Sequence, residues 1–276
     1  MTVESVENLF RTGLLDEAID AAATLVRSAP SDDLARLRFA ALLLFRGEWQ
    51  KSDKQLELLD HPERKSAYAA RRLRDFIGSE VTREECHFAG RAPEMPFGPT
   101  PGAEAALRAL LAIREGDPAE AVRQVAAIEQ VRPKLSGVVD GKPFRDFRDA
   151  DDIVAPVLEV CSPTGKYWWI PWEHVRSLER LPVSEYTDRL WSPVKAVLCD
   201  EAGNDIEYDA IFVPRLYVAT HRAVDPALRL GRAISWREDP PGVVRGRGLR
   251  TFFAGEENVA FVEFQRIEFH GRPTTA

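Results

Sequence analysis

Helical periodicity fills the first half of the chain, and short β-type runs fill the second. Across 31–46, Leu34, Leu37, Ala41, Leu44 and Phe45 recur at the three- and four-residue intervals of one helix face. Ser31 stands where a side-chain oxygen caps the first turn. Leu42 and Leu43 widen the apolar surface, which predicts a helix buried between neighbours. Asp117, Pro118 and Glu120 spell a helix start, with Asp as cap, Pro at the first helical position and Glu two residues further in. Residues 63–89 have helical character without a Gly–Ala turn, which predicts one long helix or a degenerate repeat. Across 90–102, Pro93, Pro96, Pro99 and Pro101 forbid a continuing helix and predict an extended loop. Beyond Pro133, the runs 154–160, 166–172, 194–199, 211–218 and 259–269 predict strands. Asp140-Gly141 and Gly203-Asn204 are turn signals between them. Long helical patterns do not separate these runs, so a mixed or antiparallel sheet is expected rather than βαβ units. The fold class is α+β: an all-helical domain over 1–132 and a β-rich domain with few helices over 133–276.

A longer period underlies the helical part. Gly13 and Gly47 lie 34 residues apart, each followed five residues later by a small residue, Ala18 or Ser52. Gly116 with Ala121 repeats the arrangement after two periods plus one residue, and Pro30, Pro62 and Pro133 close the three units. That spacing predicts tetratricopeptide-like helical hairpins, with glycine at the tight turn and small residues at the helix crossing. Such hairpins bind proteins more often than they perform chemistry.

Composition excludes several classes. The net charge is −7, carried evenly by 18 basic and 22 acidic side chains over 1–132 and 19 and 22 over 133–276. No basic half exists to follow a phosphate backbone. Cys86, Cys161 and Cys199 are three, scattered and without CxxC spacing, which argues against a disulfide framework or a zinc site. The polar, acidic start of the chain does not resemble a signal peptide. No apolar run approaches the roughly 20 residues that span a bilayer, so the expected location is the cytoplasm.

Candidate chemistry is sparse. Asp146, Asp149, Asp151, Asp152 and Glu159 form the densest polar cluster. Loop or strand capping is its plainest role. The enzymatic alternative is a metal-dependent hydrolase in which Asp149, Asp151, Asp152 and Glu159 act with His174. The EF-hand spacing is absent. His61, His87, His174, His221 and His270 show no HExxH or HxxxH pairing. Cys86 and His87 are adjacent, which on a helix points them about 100° apart. Arg245, Arg247 and Arg250, interleaved with Gly246 and Gly248, suggest a contact loop for a protein or a phosphate. No cofactor motif is present, and a non-enzymatic protein is expected.

Several C-terminal pieces fall in a familiar order: residues 138–144 with Asp140-Gly141, then Asp149 and Asp151, Pro156 to Val160, and Gly165 to Trp172. Asp188 to Trp191, Pro214 to Tyr217, Leu228 to Arg232 with Trp236, and Gly246 to Arg250 continue it. Pro30, Arg36, Leu42 to Leu44, Gly47 to Trp49, Gln55-Leu56 and Glu84 to Gly90 agree in the helical part. This succession resembles the ImpE/TagJ family, accessory proteins of the bacterial type VI secretion system, over about residues 4–252. The resemblance implies a cytoplasmic adaptor that binds a helix of the contractile-sheath small subunit and is linked to the ClpV ATPase. A groove taking an amphipathic helix is expected between the helices containing 34–45 and 64–76. Leu34, Leu37, Leu44, Arg71 and Arg74 are its candidate contacts.

Overall fold

A computed structural model describes residues 2–61, 63 and 65–270. Among the described residues seven helices come first: α1 (Val3–Thr12), α2 (Leu15–Ser28), α3 (Asp33–Leu44), α4 (Trp49–Glu57), α5 (Ala67–Phe88), α6 (Pro101–Glu115) and α7 (Pro118–Val131). The pairs α1–α2, α3–α4 and α6–α7 pack as hairpins. Each turns at one of the spaced glycines, with φ of 96° at Gly13, 68° at Gly47 and 73° at Gly116. Ala18, Ser52 and Ala121 are fully buried at the crossings, and the Ser52 hydroxyl donates to Ala40 O at 2.9 Å. Pro62 and Arg64 lie outside the described residues. The long helix expected over 63–89 is α5, which stands without a hairpin partner. Asp117 caps α7 as expected, accepting from Glu120 N at 2.9 Å. At α3 the cap is Asp32 rather than Ser31: its carboxylate accepts from Ala35 N at 3.0 Å, and an ionised oxygen facing the helix N-terminus outcompetes a neighbouring hydroxyl.

Among the described residues thirteen strands follow: β1 (Ser136–Val139), β2 (Lys142–Arg145), β3 (Phe147–Asp149), β4 (Val157–Cys161), β5 (Tyr167–Pro171), β6 (Val175–Arg180), β7 (Trp191–Cys199), β8 (Asp205–Pro214), β9 (Ile234–Glu238), β10 (Val244–Gly248), β11 (Thr251–Ala254), β12 (Glu257–Ala260) and β13 (Arg266–Phe269). A short helix, α8 (Pro226–Arg229), precedes β9. Eight strands form one sheet in the order β2-β1-β13-β6-β7-β8-β4-β5; β12-β11-β3 and β10-β9 form two smaller ones. The ladders between these strands are antiparallel. Asp140 and Gly141, both at positive φ, make the two-residue turn between β1 and β2.

Four expected elements differ, the first being the run 211–218, whose strand β8 starts earlier at Asp205 and ends at Pro214. Val154 and Ala155 lie in a turn before β4, because the Asp149 and Asp151 carboxylates accept from Asp151 N and Ile153 N and curl the backbone. The run 259–269 breaks into β12 and β13, since Phe261 and Phe264 drop into the core between them. Residues 244–248 are the strand β10, not a loop.

Buried apolar residues gather in three clusters, and two join helices to strands. One unites α1 to α5 with Cys161, Trp191, Phe212 and Leu216; another sets the alanines of α6 against Val157, Tyr167 and Trp169. The third is aromatic, where Trp172 meets Phe147, Phe252 and Phe269 between the large sheet and β3–β11. Strand β4 is buried along its whole length.

Gly47 supplies a test of the hairpin turns. A Cβ there would stand 2.2 Å from His221 Cδ2, and His221 is itself packed edge-on to Trp49. Gly47→Ala is expected to destabilise the protein by about 2–3 kcal/mol, combining the positive φ with overpacking. A urea midpoint equal to that of the wild type would show that the turn relaxes freely.

Candidate functional site

Helix α5 turns an unusual stripe inward. Glu80, Arg83 and His87 follow at helical spacing, and all three are buried where an amphipathic helix normally places apolar side chains. They meet Glu159, which projects from the middle of β4. Arg83 donates to both Glu159 oxygens, at 2.8 and 3.0 Å, and to Leu216 O at 3.0 Å. Arg250 and the Tyr167 hydroxyl donate to the same carboxylate. These cations and His87 hold the Glu159 carboxyl well below its usual range against the opposing effect of burial.

His87 Nε2 lies 3.0 Å from Glu159 Oε1, and its Nδ1 faces an Arg245 donor nitrogen at 3.2 Å. A carboxylate on one side and a donor on the other assign the proton to Nε2 and leave the ring neutral. Burial lowers its basicity in the same sense, reinforced by Arg245 and Arg83. Arg245 also forks onto Asp151 at 3.0 and 3.1 Å, and Arg250 reaches Asp149 at 2.7 Å. Tyr217 OH sits 2.9 Å from Asp149, whose pKa burial pushes up to about 7 although Arg250 pulls it down. Three guanidiniums and four carboxylates thus tie α5 to β3, β4 and β10 and to the β10–β11 junction.

Those contacts decide the chemistry. Asp149, Asp151 and Glu159 each already carry a guanidinium, and Asp152 pairs with Arg148 at 2.6 Å. His174 is not among them: its Nδ1 faces Cys199 O at 2.8 Å and its ring stacks on Phe97. Among the described residues, no group of three His, Cys, Asp or Glu side chains is arranged to hold a metal ion. The hydrolase arrangement is therefore not assembled. Burial pushes the Cys86 thiol up to about 12, so beside His87 it stays a protonated core residue. Arg245 and Arg250 are buried in the network and do not form a contact loop; of that trio only Arg247 is half-buried at the surface.

The open surface is elsewhere. Between α3 and α5 lies a concavity of about 320 Å³, with Leu34 and Leu37 on one wall and Tyr68 and Arg72 on the other. Tyr186 closes one side, and Phe76 with Phe212 make the floor. Leu34 is 53% exposed and Tyr68 75%, so these two rim side chains stand free in a mostly apolar setting. The Arg72 guanidinium lies 4.0 Å from the Phe212 ring centroid. Leu44 is fully buried in the core behind this concavity. Arg71 and Arg74 face away from it, pairing with Asp60 at 3.2 Å and with Asp53 at 2.7 Å.

A family model described as ImpE protein matches residues 141–268. The type VI secretion system accessory component TagJ of Pseudomonas aeruginosa is 31% identical over 273 residues, which is 98% of this chain and 92% of that protein. The chain belongs to the ImpE/TagJ family. The crystal structure of protein VPA1032 from Vibrio parahaemolyticus has the same fold, with a TM-score of 0.86 and 22% identity over 96% of this chain and 97% of that one. In this ImpE/TagJ protein, sequence reasoning missed Glu80, Arg83, Tyr68 and Tyr186. A signal for the first two was present: polar residues at 80, 83, 84 and 87 occupy one face of a long helix, where the apolar stripe should run. Tyr186 came from a different half of the chain and carried no such signal.

Proposed function

We propose that this protein is a non-enzymatic, cytoplasmic accessory component of a type VI secretion system. It acts as an adaptor that holds an amphipathic helix of the contractile-sheath small subunit in the α3–α5 groove and thereby assists ClpV-linked sheath recycling. The observation that carries the reading is the groove itself, an apolar concavity with an exposed leucine and an exposed tyrosine on facing helices. Its volume accepts a few anchoring side chains while the rest of a partner helix lies along α3 and α5. The relative's name, an accessory component, supports the role. The arginine partners that occupy Asp149, Asp151 and Glu159 make the network a brace for the helix that carries one groove wall.

The direct test mixes the purified protein with the sheath small subunit and, separately, with ClpV. Co-elution with the small subunit, and with a peptide of its helix alone, is expected. No association with either protein across several buffers would sink the adaptor reading.

A further inference from the structure

Arg72 differs from the other arginines of α5. The helix carries four, and three of them have carboxylate partners: Arg71 pairs with Asp60 at 3.2 Å, Arg74 with Asp53 at 2.7 Å, and Arg83 with Glu159 at 2.8 Å. Among the described residues Arg72 forms no ion pair and no side-chain hydrogen bond. Its guanidinium carbon lies 4.0 Å from the Phe212 ring centroid and 5.3 Å from that of Phe76. A ring supplies no acceptor oxygen, so the protein holds this cation in place yet leaves its five N–H donors unfilled.

The half-buried Arg72 lines the α3–α5 concavity, one helical turn from Tyr68 on the rim and one turn from Phe76 on the floor. On the facing wall Leu34, Leu37 and Ala41 extend over roughly 10 Å, two turns of helix. The charge therefore lies inside the apolar strip and not at its end. The other ionised groups of the lining are engaged elsewhere. Arg38 pairs with Glu7 at 2.9 Å, and Asp188 accepts from Ser184 N at 2.8 Å and Glu185 N at 2.9 Å. The Glu185 side chain accepts from the backbone of Asp188, and neither acid pairs with Arg72.

We infer that the groove selects a partner helix carrying an aspartate or glutamate inside its apolar stripe, with apolar anchors three or four positions to either side, and that Arg72 reads this carboxylate. The inference rests on the adaptor reading of the same groove. An amphipathic helix ordinarily keeps its acids on the face turned to water. Seated here, an acid within the stripe meets a guanidinium that is already positioned and partly dehydrated, whose fork matches a carboxylate. One cation walled by Leu37, Phe76 and Phe212 suits a single negative charge; a phosphate group would bring a second with no partner. A helix with lysine or leucine at that point would bury Arg72 against a like charge or with no acceptor, which discriminates against other amphipathic helices.

Titration of the full chain with a fluorescein-labelled peptide of the sheath small-subunit helix, and with peptides changing each Asp to Asn or Glu to Gln in turn, tests it. One such change is expected to weaken binding to the wild type about tenfold or more, and to alter binding to Arg72→Met by less than about twofold, the mark of a direct pair. Methionine keeps an unbranched apolar stem over Phe212, so an unchanged thermal midpoint is the check of folding. Arg72→Glu gives a second readout: it should prefer the peptide with lysine in place of that acid over the unaltered one, a reversal that lost packing cannot produce. Binding of the unaltered peptide with no acid coupled to Arg72 overturns the inference and leaves the adaptor reading standing. No binding of that peptide to the wild type sinks both. Decanoate bound at one site, lost in Arg72→Met and not displaced by the peptide, overturns it in favour of a small amphiphilic acid.

Discussion

Glu159→Gln is expected to destabilise the protein by about 3–5 kcal/mol, the range for breaking a buried ion pair from one side. Glu159 receives two donors from Arg83 and one each from Arg250, His87 and Tyr167. Glutamine would turn an NH₂ group toward at least one of these donors and leave Arg83 and Arg250 with one buried carboxylate each, Glu80 and Asp149, in place of two. For a chain of this size the thermal midpoint should fall by roughly 6–20 °C. The effect should depend on pH in one direction. The folded pKa of Glu159 is depressed, so its stabilisation is complete above the unfolded value near 4.3 and is lost as pH falls through the folded value. The gap between wild type and variant is therefore widest at neutral pH and closes in acid. Adding Arg250→Met to the variant should cost less than the sum of the two single changes, because each leaves the other's partner stranded. A Glu159→Gln protein with the wild-type midpoint at neutral pH would show that the network contributes nothing to the fold.

Local features were legible because their causes are local. The Asp117 cap, the glycine turns and the Asp140-Gly141 hairpin each depend on residues within five positions, and the structure forms them. The long helix α5, Ala67–Phe88, followed from the lack of a turn signal within 63–89. What could not be read was set by distant partners. Arg83 meets Glu159 across 76 residues and Arg250 meets it across 91, so an acidic cluster and an arginine-glycine run looked like two surface features when they are two halves of one buried one. The same distance hid the end of α3: Leu44 has the right period for a groove contact, yet packing against the strands places it in the core. Val154 and Ala155 show the reverse, since their apolar run predicts a strand where two aspartate turns govern the backbone.

Leu34→Glu combined with Tyr68→Ala is expected to weaken capture of the partner helix about 100-fold while leaving the fold intact. Aromatic anchors near the middle of an interface commonly carry more than 2 kcal/mol each on truncation, and a carboxylate at Leu34 would be desolvated by a bound apolar face. Both side chains are mostly exposed in the free protein, so the thermal midpoint should stay within what about 0.5 kcal/mol allows. Arg71→Ala is the informative companion. Arg71 and Arg74 are engaged with Asp60 and Asp53 on the side of α5 away from the concavity, so truncating Arg71 should leave affinity unchanged within about twofold, as expected of a rim charge outside the contact. Titration of the sheath-subunit helix against the three proteins separates the alternatives. Loss in the groove variant alone supports the α3–α5 surface. Loss in Arg71→Ala with the groove variant binding normally would move the interface to the opposite face of α5. There the long arginines, rather than the apolar side chains, would make the contact.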